Sequence, residues 1–285
     1  MSSTPKPRGL EFEYDESDFS HIKGMIYDDA GIFLPDTKMN LVYSRLARRL
    51  RVLKMKRFSD YIAYVAGKDG REERGHLLSA LTTNLTHFFR EPHHFDIIKN
   101  DIAKEALAKT ARGGKYRIWS AGCSSGEEPY SLAIALLDVA PELAKRDVKV
   151  LGTDIDPVVV NRATTGLYDR EVVDPVEPRL RELYFQSGWG PNADRFCVGD
   201  EVRAMVEFQL LNLMGPWPIR EAIDVVMCRN VVIYFDDATK AVLWQRFSEA
   251  LDPGGWLFIG HSERITGHAK ERFESSGLTT YRRVR

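Results

Sequence analysis

Two carboxylates open a helix directly behind a glycine-bearing loop. The segment Trp119-Ser120-Ala121-Gly122-Cys123-Ser124-Ser125-Gly126-Glu127-Glu128-Pro129-Tyr130 joins a short β-rich run, 116–120, to an apolar helix, 130–139. Small residues there let a backbone approach a ligand closely, at the carboxyl end of a strand where open α/β sheets bind nucleotides. The loop is not the dinucleotide fingerprint G-x-G-x-x-G, since it holds Gly122 and Gly126 alone. Glu127 and Glu128 would repel a pyrophosphate at that helix N-terminus. They suit a ligand with a cationic ammonium or sulfonium centre. The plainer alternative is a tight turn whose acids merely complement the helix dipole.

Three further clusters carry candidate chemistry. Asp154 ends the run 148–153 about thirty residues after the glycine loop, a spacing at which an acid accepts both ribose hydroxyls. Asp156 is the better candidate for capping the next helix. In Asp224–Asp236, DVVMCRNVVIYFD, a strand ends in Arg229-Asn230, a polar pair facing the ligand crevice, with Tyr234 beyond it near the mouth. In Thr82–Arg90, TTNLTHFFR, a polar run meets two aromatics, and Arg90 can fork onto a carboxylate. An interdomain packing loop is the bland reading of that last cluster.

The elements that position these residues fall into two patterns. Before residue 112 the chain reads as helix: Phe19, Ile22 and Ile26 at helical spacing, stopped by Gly31; a helix from Asp36 as cap to about Lys54, with a Val42, Leu46, Leu50, Leu53 stripe; a short helix capped by Ser59; one over 71–81; and one from Pro92 to about Thr110. After Arg112-Gly113-Gly114, β-rich runs at 116–120, 148–153, 205–211, 223–228, 256–260 and 278–284 alternate with helices, which implies a parallel sheet covered on both faces. The stretch 168–206 breaks the alternation. EPRLRELYF reads as helix, and β-like runs at 188–194 and 199–200 suggest a small antiparallel insertion. The expected organisation is a disordered tail over 1–13, a helical domain over 14–90, a linker helix over 91–115, and an α/β domain over 116–285 with the insertion at about 170–205.

Composition excludes several classes. The 285 residues are 44% hydrophobic and 28% charged, with a formal net charge of -1, so any basic partner surface must be local. No apolar run approaches the ~18–20 residues that span a membrane, and the N-terminus has no apolar signal core. Cys123, Cys197 and Cys228 are too few and too far apart for a disulfide framework or a C-x-x-C metal pattern, which fits a reducing cytoplasm. His93-His94 are adjacent on a helix and do not share a face, so they make a poor metal pair.

Taken together the clusters resemble the chemotaxis receptor methyltransferase family, CheR-type. Its motifs stand here as Thr82–Arg90, Cys123–Ser131, Thr153–Asp156, Asn212-Leu213, Cys228–Phe235 and Gly260–Glu263, six in order from about Asp18 to Val284. The resemblance implies a Rossmann-like, doubly wound S-adenosyl-L-methionine-dependent methyltransferase domain with a small antiparallel β insertion, preceded by an all-α domain. It implies cofactor contacts at Asn84, Thr86, Arg90, Glu128, Asp154, Asn212, Leu213, Arg229 and Asn230, with Arg90 and Tyr234 nearest methyl transfer. The implied product is S-adenosylhomocysteine, and no metal is expected.

A glutamate carboxylate, with an ordinary pKa of about 4.3, is ionised at neutral pH and attacks a sulfonium methyl directly, so no catalytic triad is required. The implied partner is the cytoplasmic helical bundle of a methyl-accepting chemotaxis receptor. Arg45, Arg48 and Arg49, at helical spacing, are expected either to dock that acidic bundle or to form a solvated face. The β insertion resembles the part that, in some members, holds a receptor C-terminal tether peptide by adding a strand. Gly188 and Gly190 fit its glycine-bearing loop, whereas Asp194 stands where a further glycine is expected. A monomer is the default. The alternatives are a same-fold methyltransferase of another signalling protein and a non-catalytic cofactor-binding module, the latter disfavoured by Arg90 and Tyr234. A broad basic surface and a catalytic D/N-P-P-Y/F run, marks of a nucleic-acid methyltransferase, are both missing.

Overall fold

The two hydrophobic patterns become two units, Met1–Thr83 and Asn84–Arg285, in the computed structural model, which describes residues 11–188, 192–219 and 221–284. In the first unit, α1 (Glu16–Ala30) begins at a capping box between Asp15 and Asp18 and ends at Gly31, whose φ of 69° is the left-handed conformation that stops a helix. Phe19, Ile22 and Ile26 are buried as their spacing predicts. So are Val42, Leu46 and Leu50 on α2 (Met39–Leu53), while Leu53 is half-buried. Asp36 does not cap α2; it lies in a preceding 3-10 turn and pairs with Lys23 at 2.8 Å. Nor does Ser59 cap α3 (Phe58–Ala66), because Arg57 occupies the cap position. α4 (Arg71–Leu81) completes the unit. The tail expected over 1–13 is too long: Phe12 is buried and Glu13 bridges Arg57, while residues 1–10 lie outside the described residues.

The second unit begins earlier than residue 91. Phe88 enters its core edge-on to Tyr168 and Phe185, at 5.0 and 5.2 Å between ring centres, which ties 84–90 to the α/β unit. The expected linker is also part of that core. α5 (Pro92–Ile97) passes through a π-helical stretch, Ile98–Ile102, into α6 (Ala103–Ala111), and buries Phe95, Ile98, Ile102, Ala103 and Ala106 against the sheet cluster.

From there strand and helix alternate: β1 (Tyr116–Ala121), α7 (Glu127–Val139), β2 (Val148–Asp154), α8 (Pro157–Thr165). The insertion follows as β3 (Leu167–Asp169), α9 (Arg170–Val173), α10 (Pro178–Tyr184), β4 (Phe185–Ser187) and β5 (Arg195–Val198). Its antiparallel order is β3-β5-β4, with Tyr168 opposite Phe196. The strands thus sit at different places from the two β-like runs read in sequence: Gly199 caps α11 (Asp200–Met205), a helix not foreseen. Residues 189–191 of the glycine-bearing loop lie outside the described residues.

The main sheet closes with β6 (Val206–Leu210), β7 (Ile223–Cys228), α12 (Asp237–Ala250), β8 (Leu251–Ile259), β9 (Phe273–Gly277) and β10 (Thr280–Arg283). Its order is β6-β2-β1-β7-β8-β10-β9. The pairs from β6 to β8 are parallel, whereas β10 is antiparallel to both neighbours, so the sheet is mixed at one edge. β9, with only Phe273 buried, carries too weak an apolar signal to have been read as a strand. The chain winds outward from β1 in one direction through β2 and in the other through β7. That reversal opens a crevice beyond their carboxyl ends.

Candidate active site

At the end of β1 the chain turns through Gly122, Ser124 and Gly126, all with positive φ (85°, 50° and 94°). The N–H groups of Gly122 and Cys123 both donate to the Thr153 carbonyl at 2.8 Å, and Ser124 N–H donates to Asp154 Oδ2 at 2.8 Å. The glycines serve the protein's own packing. A Cβ at Gly122 would meet Val231 Cγ2 at 2.3 Å, and one at Gly126 would meet Ala163 Cβ at 2.8 Å and the Tyr168 hydroxyl at 2.9 Å.

Asp154 is buried at the end of β2, and its Oδ1 accepts Asp156 N–H at 3.0 Å. A carboxylate has about four acceptor sites, so beyond these donors Asp154 keeps capacity for a ribose hydroxyl. Asp156 caps α8 through Val158 N–H at 2.9 Å, as expected, and also accepts Asn84 Nδ2 at 2.8 Å. Asn84 is held from its backbone too, since its carbonyl accepts the Ser124 hydroxyl at 2.8 Å.

Glu128 is joined to the ends of two strands. Its Oε1 accepts the Ser120 hydroxyl at 2.7 Å and its Oε2 faces Arg229 Nη1 at 3.2 Å. Arg229 is spent inside the protein: its side chain is 1% exposed, Nη2 donates to the Arg90 carbonyl, and Nε lies 3.8 Å from Glu91 Oε2. It braces the site and does not present a guanidinium to it. Glu91 also meets His261 N–H at 3.3 Å and lies 3.6 Å from His94 Nδ1. Glu91, His93 and His94 bring ligand-type atoms within 4.8 Å of one another, with the Arg229 guanidinium already on that carboxylate. Burial, and then Arg229, hold His94 down at about 3, so it is neutral.

Arg90 stands between two non-glycine residues in left-handed conformations, Phe89 (φ 54°) and Glu91 (φ 58°). Such strain persists only where surroundings over-determine it. Here Phe89 N–H donates to the Ser131 hydroxyl at 2.9 Å, and Arg229 grips the Arg90 carbonyl. Arg90 itself is half-buried, with Nη1 on the Leu85 carbonyl at 3.1 Å, and Thr86, next after Leu85, is also half-buried.

Asn212-Leu213 follow β6, where Leu211 N–H donates to the Asp154 carbonyl at 2.9 Å. The Asn212 side chain accepts Met214 N–H at 2.9 Å, and the Leu213 carbonyl accepts Trp217 Nε1 at 3.1 Å. Asn230 is left-handed (φ 59°), with a buried Oδ1 that lacks a hydrogen-bond partner. Tyr234 is half-buried at the end of the 3-10 turn Val232–Tyr234.

Hydrogen bonds and ion pairs thus link Asn84, Asp154 and Asp156 into one group and Glu128, Arg229 and the Arg90 backbone into another, while Asn212-Leu213 adjoin Asp154. The arginine stripe belongs to the first unit and is mostly committed there. Arg45 caps the end of α4, donating to the carbonyls of Leu81 (2.8 Å) and Thr82 (3.0 Å) and to Thr83 Oγ1 (2.9 Å). Arg49 forks onto buried Glu73, which also accepts the Tyr61 hydroxyl. Arg48 is exposed. Sequence reasoning missed Glu91 and Glu263 as parts of the site's support. Glu91 adjoins the flagged Arg90, and Glu263 closes a quoted motif, but neither has a spacing that marks it as a partner of Arg229 or of the 230–233 loop.

The cluster is acidic. Burial raises the carboxyls of Asp154, Glu127 and Glu128 above their ordinary values. Carboxyls gathered in a strand-end crevice, each gaining from a nearby positive charge, fit a ligand that carries ammonium and sulfonium charges on an adenosyl group. A doubly wound sheet with an acidic first loop and a ribose-type acid on the second strand defines the class: an S-adenosylmethionine-dependent methyltransferase domain. The family described as "CheR methyltransferase, SAM binding domain" matches residues 84–282, and "CheR methyltransferase, all-alpha domain" matches 17–82. The chain is 46% identical to a probable chemotaxis protein methyltransferase of Rhizobium etli, over 90% of this chain and 96% of that one. It is 40% identical to chemotaxis protein methyltransferase 2 of Pseudomonas aeruginosa (98% of each chain) and 39% identical to the Escherichia coli chemotaxis protein methyltransferase (93% and 90%). The chain belongs to the CheR family of chemotaxis protein methyltransferases.

Proposed function

We propose that the chain transfers the methyl group of S-adenosyl-L-methionine to glutamate carboxylates of methyl-accepting chemotaxis receptors, giving glutamate methyl esters and S-adenosylhomocysteine. The observation that carries the acceptor class is the division of labour between two guanidiniums. Arg229 is consumed by Glu128, Glu91 and the Arg90 carbonyl, while Arg90 keeps exposed surface beside an acidic crevice. An incoming anion needs one such cation at the mouth, because the carboxylates within would repel it.

Bound S-adenosylmethionine supplies an electrophilic methyl on a sulfonium leaving group. The new C–O bond forms as the S–C bond breaks, its electron pair returns to sulfur, and no proton moves. The chain's task is therefore alignment and exclusion of water. Asp154 takes the ribose; Asn84, Thr86, Glu128, Asn230, Asn212 and Leu213 line the remaining cofactor contacts; Arg229 acts as their brace. Arg90 and Tyr234 orient the acceptor, and Arg90 must hold it loosely enough not to stabilise the ground state.

Receptor docking falls to Arg48, since Arg45 and Arg49 are occupied. The edges of the small sheet, β3 and β4, are where a receptor C-terminal tether would add as a strand. The setting is cytoplasmic and the protein monomeric. No helix among the described residues is long and apolar enough to cross a membrane.

The test is transfer of labelled methyl from S-adenosylmethionine to receptor-containing membranes, followed by mild base. Base-labile label on the receptor is the expected result; base-stable label overturns the carboxylate assignment. Arg90→Ala and Tyr234→Phe should lower turnover more than cofactor affinity, and wild-type turnover in both removes their roles.

A further inference from the structure

We propose that Glu263 is a positioning residue for methyl transfer, the anchor of the loop that carries Asn230 and Tyr234. This rests on the reading of Tyr234 given above. Glu263 lies in the turn after β8 and is 3% exposed, so it does not itself face a ligand. Its Oε2 accepts Gly260 N–H at 2.5 Å. Burial pushes the Glu263 carboxyl above its ordinary value, against the opposite pull of the Gly260 N–H and the neighbouring backbone amides of Asn230, Ile233 and Val232, and Oε1 has no hydrogen-bond partner.

The two segments meet with no room to spare. A Cβ added to Gly260 would stand 2.8 Å from Asn230 Nδ2, 2.9 Å from Asn230 N and 3.0 Å from Glu263 Oε2. One buried carboxyl therefore abuts the start of a loop whose first residue, Asn230, is strained and whose last is Tyr234. A buried carboxyl among N–H dipoles keeps its place only while those dipoles keep their directions. An amide there keeps one oxygen for the Gly260 N–H but puts an NH2 group in place of Oε1, beside the loop's own N–H groups, and the loop re-aims to accommodate it.

Glu263→Gln keeps the side-chain shape and tests this directly. Turnover of folded enzyme should fall about 10- to 100-fold, the scale expected of a small misplacement, with S-adenosylhomocysteine affinity falling by a smaller factor, through Asn230 alone. Gly260→Ala presses on the same Asn230 amide and should give the same split; it carries the test should Glu263→Gln fail to fold. In a Tyr234→Phe background Glu263→Gln should cost much less than in wild type, because the residue it positions is already impaired. Amide hydrogen exchange at 230–234 should quicken in Glu263→Gln. Equal losses in both backgrounds, or unchanged exchange with wild-type turnover, overturn the proposal. Wild-type turnover of Tyr234→Phe alone, with faster exchange in Glu263→Gln, sinks the reading of Tyr234 and leaves the anchor standing.

Discussion

Two turns with left-handed residues flank the same crevice, and they are built on opposite terms. The loop after β1 places glycine at two of its three positive-φ positions, where the conformation costs little. The 89–91 turn places Phe89 and Glu91 there, and is held instead by Arg229, Ser131 and the packing of Phe88. The first turn is a shape the local sequence prefers; the second exists because distant residues impose it. Strain of that kind belongs where a side chain, here Arg90, must be kept pointing one way.

Removing the brace should have the largest effect. Arg229→Ala leaves Glu128 and Glu91 buried without their cation, and the cost should reach about 3–5 kcal/mol of stability. Urea unfolding measures it; a loss within the error of the midpoint would mean the second turn holds itself. Gly126→Ala attacks the first turn. It forces an L-residue to φ 94° and a Cβ to 2.8 Å from Ala163 Cβ, so it should cost at least the ~1–2 kcal/mol of a left-handed side chain and weaken cofactor binding. A stable Gly126→Ala with unchanged affinity would erase the contrast.

Acidity sharpens the comparison at a smaller scale. Asp154, Glu127 and Glu128 have folded pKa values above the unfolded ones, so without ligand their contribution to stability falls as pH rises through that window, from about 4 upward. A cationic ligand favours the ionised forms. Binding of S-adenosylmethionine should therefore release protons and tighten with rising pH through the same window. S-adenosylhomocysteine, lacking the sulfonium charge, should release fewer. Calorimetry in buffers of different ionisation enthalpy reads this, and equal release by both ligands counts against it. The smallest effect lies outside both turns: Arg48→Glu should slow receptor methylation severalfold at low salt and little at high salt, with cofactor affinity intact. Unchanged methylation makes Arg48 a plain surface residue.

What could be read from sequence followed the locality of the signal. β7 was legible to the residue because Ile223–Cys228 is a continuous buried run between polar flanks. The Gly122–Glu128 turn was legible as a tight strand-to-helix loop, but the packing of its glycines against Val231 and Ala163 was not, since those residues come from far along the chain. Likewise Arg45, Arg48 and Arg49 share a helical face by spacing, but only contacts with α4 and Glu73 separate the occupied pair from the exposed one. The domain boundary was set too late for the same reason, as nothing local says that Phe88 belongs to a core completed by Tyr168 and Phe185.

The bonds that close the crevice join residues far apart in the chain: Asn84 to Asp156 across 72 positions, Arg229 to the Arg90 carbonyl across 139, and His261 to Glu91 across 170. A ribosome must therefore release nearly the whole polypeptide before any adenosyl pocket exists. Contacts of such separation form late, so an occupied pocket acts as a latch that delays unfolding and does little to hasten folding.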